Sequence, residues 1–159
     1  MIVLGIDPGY ATVGFGAVAY ENAKFRPLEY GAIKTDPGLP FEIRLHEIYN
    51  DVLSLIDHFK PDAIAVEELF FNTNVKTAIE VGHARGVIVL AITEKGYKLY
   101  EYTPLQVKQA VVGYGRAEKR QVMEMTKVML GLDRIPRPDD AADALAIAIC
   151  HAHTSTSLL

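Results

Sequence analysis

The sequence predicts a mixed α/β fold, in which a five-stranded sheet is flanked by helices. Three extended runs precede the first helical segment, and two later extended runs alternate with helices. The short polar connection at residues 21–23 predicts a hairpin, so the first strands should be antiparallel. Strands that are linked through helices should instead be parallel. Half of the 159 residues are apolar, so we expect residues 1–159 to form a single domain with a proper core.

The first half of the chain supplies four of the five predicted strands. Residues 2–7 are typical of a buried strand, and residues 13–20 and 24–35 give two further extended runs. A helix is predicted next from an apolar stripe made of Phe41, Leu45, Ile48, Val52, Leu55, Ile56 and Phe59. Pro61 ends this helix before a strand at residues 63–66.

The second half is predominantly helical. A long helix is predicted over residues 73–94, followed by the fifth strand at 98–102. Thr103 and Pro104 are typical of a helix cap and first turn, and that helix should run through residue 112. After the flexible break at 113–115, a helix is predicted near 118–130. The last helix should begin at Pro138 and run to about residue 153.

Four carboxylates lie where separate predicted elements begin or end. Asp7 and Glu67 close two apolar strands, and Asp140 and Asp143 lie one turn apart on the last helix. Taken singly, Asp7 is typical of a turn, Glu67 of a solvated loop, and Asp140 of a residue that complements a helix dipole. Asp143 fits none of these, since it lies a turn deeper among Ala, Leu and Ile residues. Together the four acids predict a divalent metal site.

The ligand set favours Mg²⁺ and phosphodiester chemistry. Mg²⁺ prefers oxygen ligands, and two such ions can activate water and stabilise a departing oxygen. We assign Asp7 as the bridging ligand, with Glu67 and Asp143 completing opposite ions and Asp140 assisting. The five histidines are scattered without zinc spacing, and no nucleophile elbow supports a Ser-His-Asp arrangement.

The formal net charge of −4 conceals a basic segment. Between residues 108 and 137, seven basic residues face three acids. Such a segment is typical either of a phosphate-binding surface or of a solvated helical face, and charge alone leaves both open.

Composition also indicates a compartment. Cys150 is the single cysteine, so the chain has no internal disulfide, and we expect a reducing, cytoplasmic location. The N-terminal apolar run is too short for a signal peptide or a membrane span, and we expect no membrane association.

Motifs along the whole chain resemble the RuvC family of Holliday-junction resolvases, within the RNase H-like superfamily. The matching stretches are Gly5-Ile6-Asp7-Pro8-Gly9 with Gly14-Phe15-Gly16, Ala65-Val66-Glu67, Ala84-Arg85-Gly86, Gln106-Val107-Lys108-Gln109, Val112-Gly113 with Ala117-Glu118-Lys119, and Asp140-Ala141-Ala142-Asp143-Ala144-Leu145-Ala146. The resemblance implies an RNase H-like fold, a homodimer, and Mg²⁺-dependent symmetric nicking of four-way DNA junctions in recombination and repair. It also implies two Mg²⁺ ions per site, replaceable by Mn²⁺, and the RuvA–RuvB branch-migration complex as partner.

The resemblance also assigns roles to individual residues. Asp7, Glu67, Asp140 and Asp143 match the catalytic, metal-binding set, and Lys108 and Lys119 match lysines that contact DNA phosphate. Phe70, or its neighbour Phe71, matches an aromatic residue that stacks at the opened crossover. The basic residues Arg116 and Arg120 are added as expected DNA contacts. Tyr10 and Phe15 depart modestly from the family pattern.

We expect the homodimer to form largely on the helix predicted over residues 73–94. Its apolar band includes Val81, Ala84, Val87, Ile88, Ala91 and Ile92. One face would contact the sheet and another would contact the partner, so a charge at Ala84 should produce folded monomers.

Three other classes of protein compete with this interpretation. A YqgF-type nuclease, which would act on RNA, also opens with an acid near its N-terminus, but Lys108 and the motif at 84–86 argue against it. An actin-like ATPase needs two such domains to enclose a nucleotide. A catalytically silent junction-binding module would have little use for four intact acids.

Overall fold

A computed structural model, which describes residues 1–68 and 74–156, has one five-stranded sheet with helices on both faces. The strands lie in the order β3-β2-β1-β4-β5, with β1–β2 and β2–β3 antiparallel and β1–β4 and β4–β5 parallel. The predicted mixed sheet is therefore confirmed. The elements are β1 (Ile2–Asp7), β2 (Thr12–Glu21), β3 (Lys24–Lys34), α1 (Phe41–Phe59), β4 (Ala63–Glu67), α2 (Val75–Glu94), β5 (Leu99–Tyr102), α3 (Pro104–Val112), α4 (Lys119–Met129) and α5 (Asp139–Thr156).

The alternation of side chains along the strands divides the core into two layers. Val3 and Ala65 point to the face covered by α3, α4 and α5. Leu4, Ile6 and Ile64 point to the opposite face, which α1 and α2 cover. Burying one such Leu or Ile side chain contributes about 1.5–3 kcal/mol. Among the described helices, none is both long enough and apolar enough to cross a membrane.

Most predicted helix boundaries agree with the structure to within a few residues. At the start of α3, Thr103 Oγ1 accepts from the Gln106 amide at 3.1 Å and Gln106 Oε1 accepts from the Thr103 amide at 2.8 Å. This capping box is the local reason why α3 begins where the sequence predicts. The last helix begins at Asp139, one residue after Pro138, and continues three residues beyond the predicted end to Thr156.

The stripe predicted for α1 is wrong at its first turn. The buried positions follow an exact four-residue spacing through Arg44, Ile48, Val52 and Ile56. Phe41 lies off this line and is 41% exposed. Because Arg44 occupies the buried position, the first turn of α1 carries a polar contact into the sheet edge.

The expectation for Ala84 is also wrong. Ala84, Ile88, Ala91 and Ile92 are fully buried in the core layer beneath α1 and α2. The exposed apolar side of α2 consists instead of Val75, Ile79 and Leu90, with 68%, 54% and 57% exposure. The long helix has apolar residues on more than one face, so its sequence pattern could not tell the core side from the outer side.

Candidate active site

Two parallel strands bring the first two acids together. β1 and β4 pair with Ile6 opposite Val66, so Asp7 and Glu67 follow at the same carboxyl edge of the sheet. Burial raises the pKa of both carboxyl groups, and the interaction between them raises that of Asp7 further while it opposes the rise in Glu67. Two carboxylates drawn from residues 60 positions apart in the chain therefore share one small volume.

The other two acids reach this edge because α5 lies directly on β1 and β2. A side-chain carbon on Gly5 would collide with the backbone oxygen of Ala144, and one on Gly14 would collide with the backbone oxygen of Asp140. Glycine at these two positions thus allows the helix backbone to touch the sheet. Asp140 and Asp143, in the first turns of α5, come to lie beside Asp7.

The resulting acidic cluster is tight. One carboxylate oxygen from each of Asp7, Asp140 and Asp143 lies within 4.8 Å of the other two. Burial, then the charges of Glu67, Asp143 and Asp140, raise the pKa of Asp7 from 3.8 to about 9. Without a compensating cation, the folded protein would therefore keep a proton in this cluster at neutral pH.

Lys119 is the cation that the described chain brings to the cluster. Its Nζ lies 3.1 Å from Asp143 Oδ2. Burial lowers the pKa of the Lys119 ammonium, but the charges of Asp143, Asp139 and Asp7 outweigh it and the pKa rises. Burial also raises the pKa values of Glu67 and Asp143, and Lys119 opposes that rise in both. One ammonium therefore neutralises only part of the negative charge of four acids.

The remaining predicted DNA contacts differ in their placement. Lys108, on α3, lines a cavity with Lys119, Glu67 and Asp143. Arg116 and Arg120 are exposed, one before α4 and one in its first turn. The structure thus brings Lys119 to the acidic cluster and Lys108 to the cavity beside it, and leaves the two arginines exposed near α4. Phe70 and Phe71 lie outside the described residues.

One feature of the site has no counterpart among the predicted residues. Arg44 stacks on Tyr10, with its guanidinium carbon 4.1 Å from the ring centroid, and its Nε donates to Thr35 Oγ1 at 2.9 Å. The Thr35 hydroxyl in turn donates to the Tyr10 carbonyl at 3.2 Å. This network fixes the loop that follows Asp7. The four-residue spacing from Arg44 to Ile48 could have indicated that Arg44 lies on the buried face of α1. A charged residue is normally assigned to the solvent side, so the sequence did not identify it.

The cluster fits a divalent cation by the chemistry of its donors. All of its donors are carboxylate oxygens, the hard ligands that Mg²⁺ and Ca²⁺ take in proteins. Burial, followed by the charges of the neighbouring acids, raises the pKa of Asp7, so the cluster favours a bound proton or cation over bare negative charge. A cation at this position would remove the repulsion that the protein otherwise relieves with a proton.

Comparisons with known proteins agree over the length of the chain. The family described as Crossover junction endodeoxyribonuclease RuvC matches residues 3–151. The RuvC of Caldanaerobacter subterraneus subsp. tengcongensis is 58% identical over 158 residues, which cover 99% of this chain and 96% of that protein. The RuvC of Alkaliphilus metalliredigens is 60% identical over 154 residues, covering 97% of this chain and 94% of the relative.

Solved structures give the same result. Thermus thermophilus RuvC superposes with a TM-score of 0.92 at 43% identity, covering 99% of this chain and 96% of that chain. The same protein in complex with Holliday junction substrate gives a TM-score of 0.90 at 42% identity, with the same coverage. The yeast mitochondrial resolvase Ydc2, at 15% identity and a TM-score of 0.68, shares the fold, and the match covers 98% of this chain and 81% of that chain.

These matches decide between the families that the sequence left in competition. The identity is high, it extends over nearly all of both chains, and the four acids and two lysines lie within the matched residues. The chain belongs to the RuvC family of crossover junction endodeoxyribonucleases.

Proposed function

We propose that this protein is a structure-specific DNA endonuclease that resolves four-way junctions by paired symmetric nicks, in a Mg²⁺-dependent reaction of recombination and repair. The observation that carries the proposal is the acidic cluster of Asp7, Asp140 and Asp143, with Glu67 at the end of the strand paired with β1 and Lys119 in contact with Asp143. Such a cluster repels phosphate unless cations intervene, so its position beside lysines suits a metal-dependent phosphodiesterase.

The four acids are the proposed ligands and catalytic residues. Asp7 interacts with Glu67 and with both α5 acids, which suits the bridging role. Bound there, two Mg²⁺ ions (or Mn²⁺ in their place) would supply the charge that activates water and stabilises the departing oxygen. The Arg44 and Thr35 contacts to Tyr10 would hold the loop after Asp7, and with it the Asp7 carboxylate, in position.

The lysines are proposed to bind and orient the DNA backbone. Lys119 can exchange its contact with Asp143 for a phosphate once a metal ion neutralises that carboxylate. Lys108 lines the same cavity from α3, so the two ammonium groups can hold the strand on one side of the cleaved phosphate. Arg116 and Arg120, exposed near α4, would contact phosphates further along. Phe70 or Phe71 is proposed to stack on an unpaired base at the crossover.

Paired nicks require two active sites, and we propose that a homodimer supplies them. A four-way junction has approximate two-fold symmetry, which a two-fold dimer can match. The exposed stripe formed by Val75, Ile79 and Leu90 on α2 suits a self-complementary apolar contact. In the same stripe, nothing lies within 4 Å of the position that a side chain on Gly86 would occupy, which leaves room for a close approach.

The wider setting of the protein follows from the same proposal. Thermus thermophilus RuvC is known in complex with Holliday junction substrate, and we propose this substrate for the present chain. We also propose that residues 1–159 act as one nuclease domain, that the RuvA–RuvB branch-migration complex is its partner, and that it acts in the cytoplasm.

The experiment that tests the proposed activity compares three substrates of matched sequence. A synthetic four-way junction, a linear duplex and an RNA hairpin are incubated with the protein in Mg²⁺, and the labelled strands are mapped. We expect symmetric nicks in the junction alone. Cleavage of the hairpin in preference to the junction would instead indicate an RNA nuclease, and binding without cleavage would indicate a silent module.

A further inference from the structure

A cavity of about 230 Å³ lies beside the acidic cluster, between α3, α4 and α5. Its floor is aliphatic and consists of Pro104, Val107, Val122, Ala146 and Ile147. Its rim is charged and carries Glu67, Asp143, Lys108 and Lys119. Neither catalysis by the four acids nor phosphate binding by the lysines accounts for an apolar floor.

The rim and the floor suit different parts of one nucleotide. The two lysines at the rim can bind phosphate, whereas the aliphatic floor would exclude it because desolvating an anion there is costly. Asp143 belongs to both the acidic cluster and the rim. A DNA strand whose cleaved phosphate sits at the cluster would therefore have an adjacent nucleotide within reach of the cavity.

Among the parts of a nucleotide, the size of the cavity favours the base. The volume of the cavity is about 230 Å³. It falls below the range of about 300–1,000 Å³ that is usual for drug-sized ligands. This volume suits a single ring system, whose polar edge would remain beside the charged residues.

We propose that this cavity accepts one unstacked nucleobase that flanks the cleaved phosphate. The proposal rests on the proposed junction-cleaving function and adds to it a base-binding subsite. Removing a base from a duplex costs several kcal/mol, but less where the base is already unpaired. The subsite would therefore favour cleavage at a crossover, where strands exchange partners, over cleavage within an intact duplex.

The experiment removes the base and leaves the phosphates. The nick is first mapped on a synthetic junction, and junctions are then made with a single abasic nucleotide immediately 5′ or 3′ of the cleaved phosphate. Single-turnover cleavage by the wild-type protein should slow at one of these two positions by about 10- to 150-fold, the factor expected when one apolar group of side-chain size is no longer buried. An abasic nucleotide three positions further along the same strand should have no such effect.

A cavity-filling variant assigns the effect to this cavity. Val107→Phe should slow cleavage of the intact junction by a similar factor, and should leave the rate on the abasic junction unchanged from wild type. Val111→Phe is the matched control, since Val111 lies one turn further along α3 and is 5% exposed against 7% for Val107, but does not line the cavity. Melting temperatures and junction binding in Ca²⁺ are measured for both variants.

The outcomes are distinct. Equal wild-type rates on intact and abasic junctions would overturn the subsite while leaving the proposed function intact, and this test needs no variant. If Val107→Phe slowed the cleavage of intact and abasic junctions by the same factor, the subsite would also be overturned. Failure of the wild-type protein to cut any junction would overturn the proposed function, and the subsite with it.

Discussion

Replacement of Asp7 by asparagine should stabilise the metal-free protein at neutral pH. The pKa of Asp7 rises from 3.8 to about 9 in the folded chain, through burial and then the neighbouring acids. A carboxyl group with a raised pKa in the folded state contributes its full stability below pH 3.8, and loses it as the pH rises towards 9. Asparagine keeps the shape of the side chain but has no charge to lose.

The magnitude follows from the pKa shift. Each pH unit between 3.8 and 7 lowers the free energy of unfolding by about 1.4 kcal/mol. The ionisation of Asp7 therefore lowers the stability of the wild-type protein at pH 7 by at most roughly 4 kcal/mol. Part of this loss of stability remains in the variant, because burial also raises the pKa values of Glu67 and Asp143. For a domain of this size, each kcal/mol shifts the melting temperature by about 2–4 °C. We therefore expect Asp7→Asn to melt several degrees above the wild-type protein in EDTA at pH 7, with little difference near pH 4.

The assay is thermal unfolding across this pH range, with and without Mg²⁺. Mg²⁺ should stabilise the wild-type protein more than the variant, because it replaces the missing positive charge. Asp133→Asn, a change at an exposed acid far along the chain from Asp7, is the control and should leave the pH dependence unaltered. If Asp7→Asn were no more stable than wild type in EDTA at pH 7, the account of an uncompensated acidic cluster would be refuted.

The lysines, the aromatic pair and the exposed stripe of α2 can each be tested separately. The double change Lys108→Ala and Lys119→Ala should flatten the plot of log affinity against log salt for junction DNA by about one unit per lost phosphate contact, measured by fluorescence anisotropy. Phe70→Ala should slow cleavage of fully paired junctions more than of junctions unpaired at the centre, since stacking is worth about 1–3 kcal/mol per base. Ile79→Glu should give folded monomers in sedimentation equilibrium, whereas Val128→Glu, at an apolar residue on α4 that is 65% exposed against 54% for Ile79, should remain dimeric.

Each of these tests has an outcome that contradicts its premise. An unchanged salt slope would mean that the two lysines face solvent in the complex. Equal losses on paired and opened junctions, or a collapsed melting temperature, would mean that Phe70 belongs to the core. A dimeric Ile79→Glu protein would remove the exposed stripe of α2 from the interface.

The sequence was most informative where local chemistry decides the structure. The apolar runs that end at Asp7 and Glu67 predicted two strand ends, and the parallel pairing of β1 with β4 then places these acids side by side. Thr103 and Pro104 predicted the start of α3, and the structure adds a capping box between Thr103 and Gln106, which depends only on residues close in the chain. Such features need no knowledge of distant contacts.

The sequence was least informative where contacts between distant segments decide. Ala84 could not be assigned to the core side of α2, because apolar residues surround that helix and only packing against α1 selects a face. Arg44 resembles a solvent-facing residue until Tyr10 and Thr35 are brought to it by the fold. The cavity at Val107 is likewise formed by three helices from separate parts of the second half of the chain.

The central claim is that the acidic cluster performs the cleavage of four-way junctions, and one comparison tests it most directly. Wild-type protein and Asp7→Asn are assayed on the same labelled junction, for binding in Ca²⁺ and for nicking in Mg²⁺. We predict equal junction affinity, symmetric nicks by the wild-type protein, and no nicks by the variant. Mg²⁺-dependent nicking by Asp7→Asn at a rate close to that of wild type would contradict the claim.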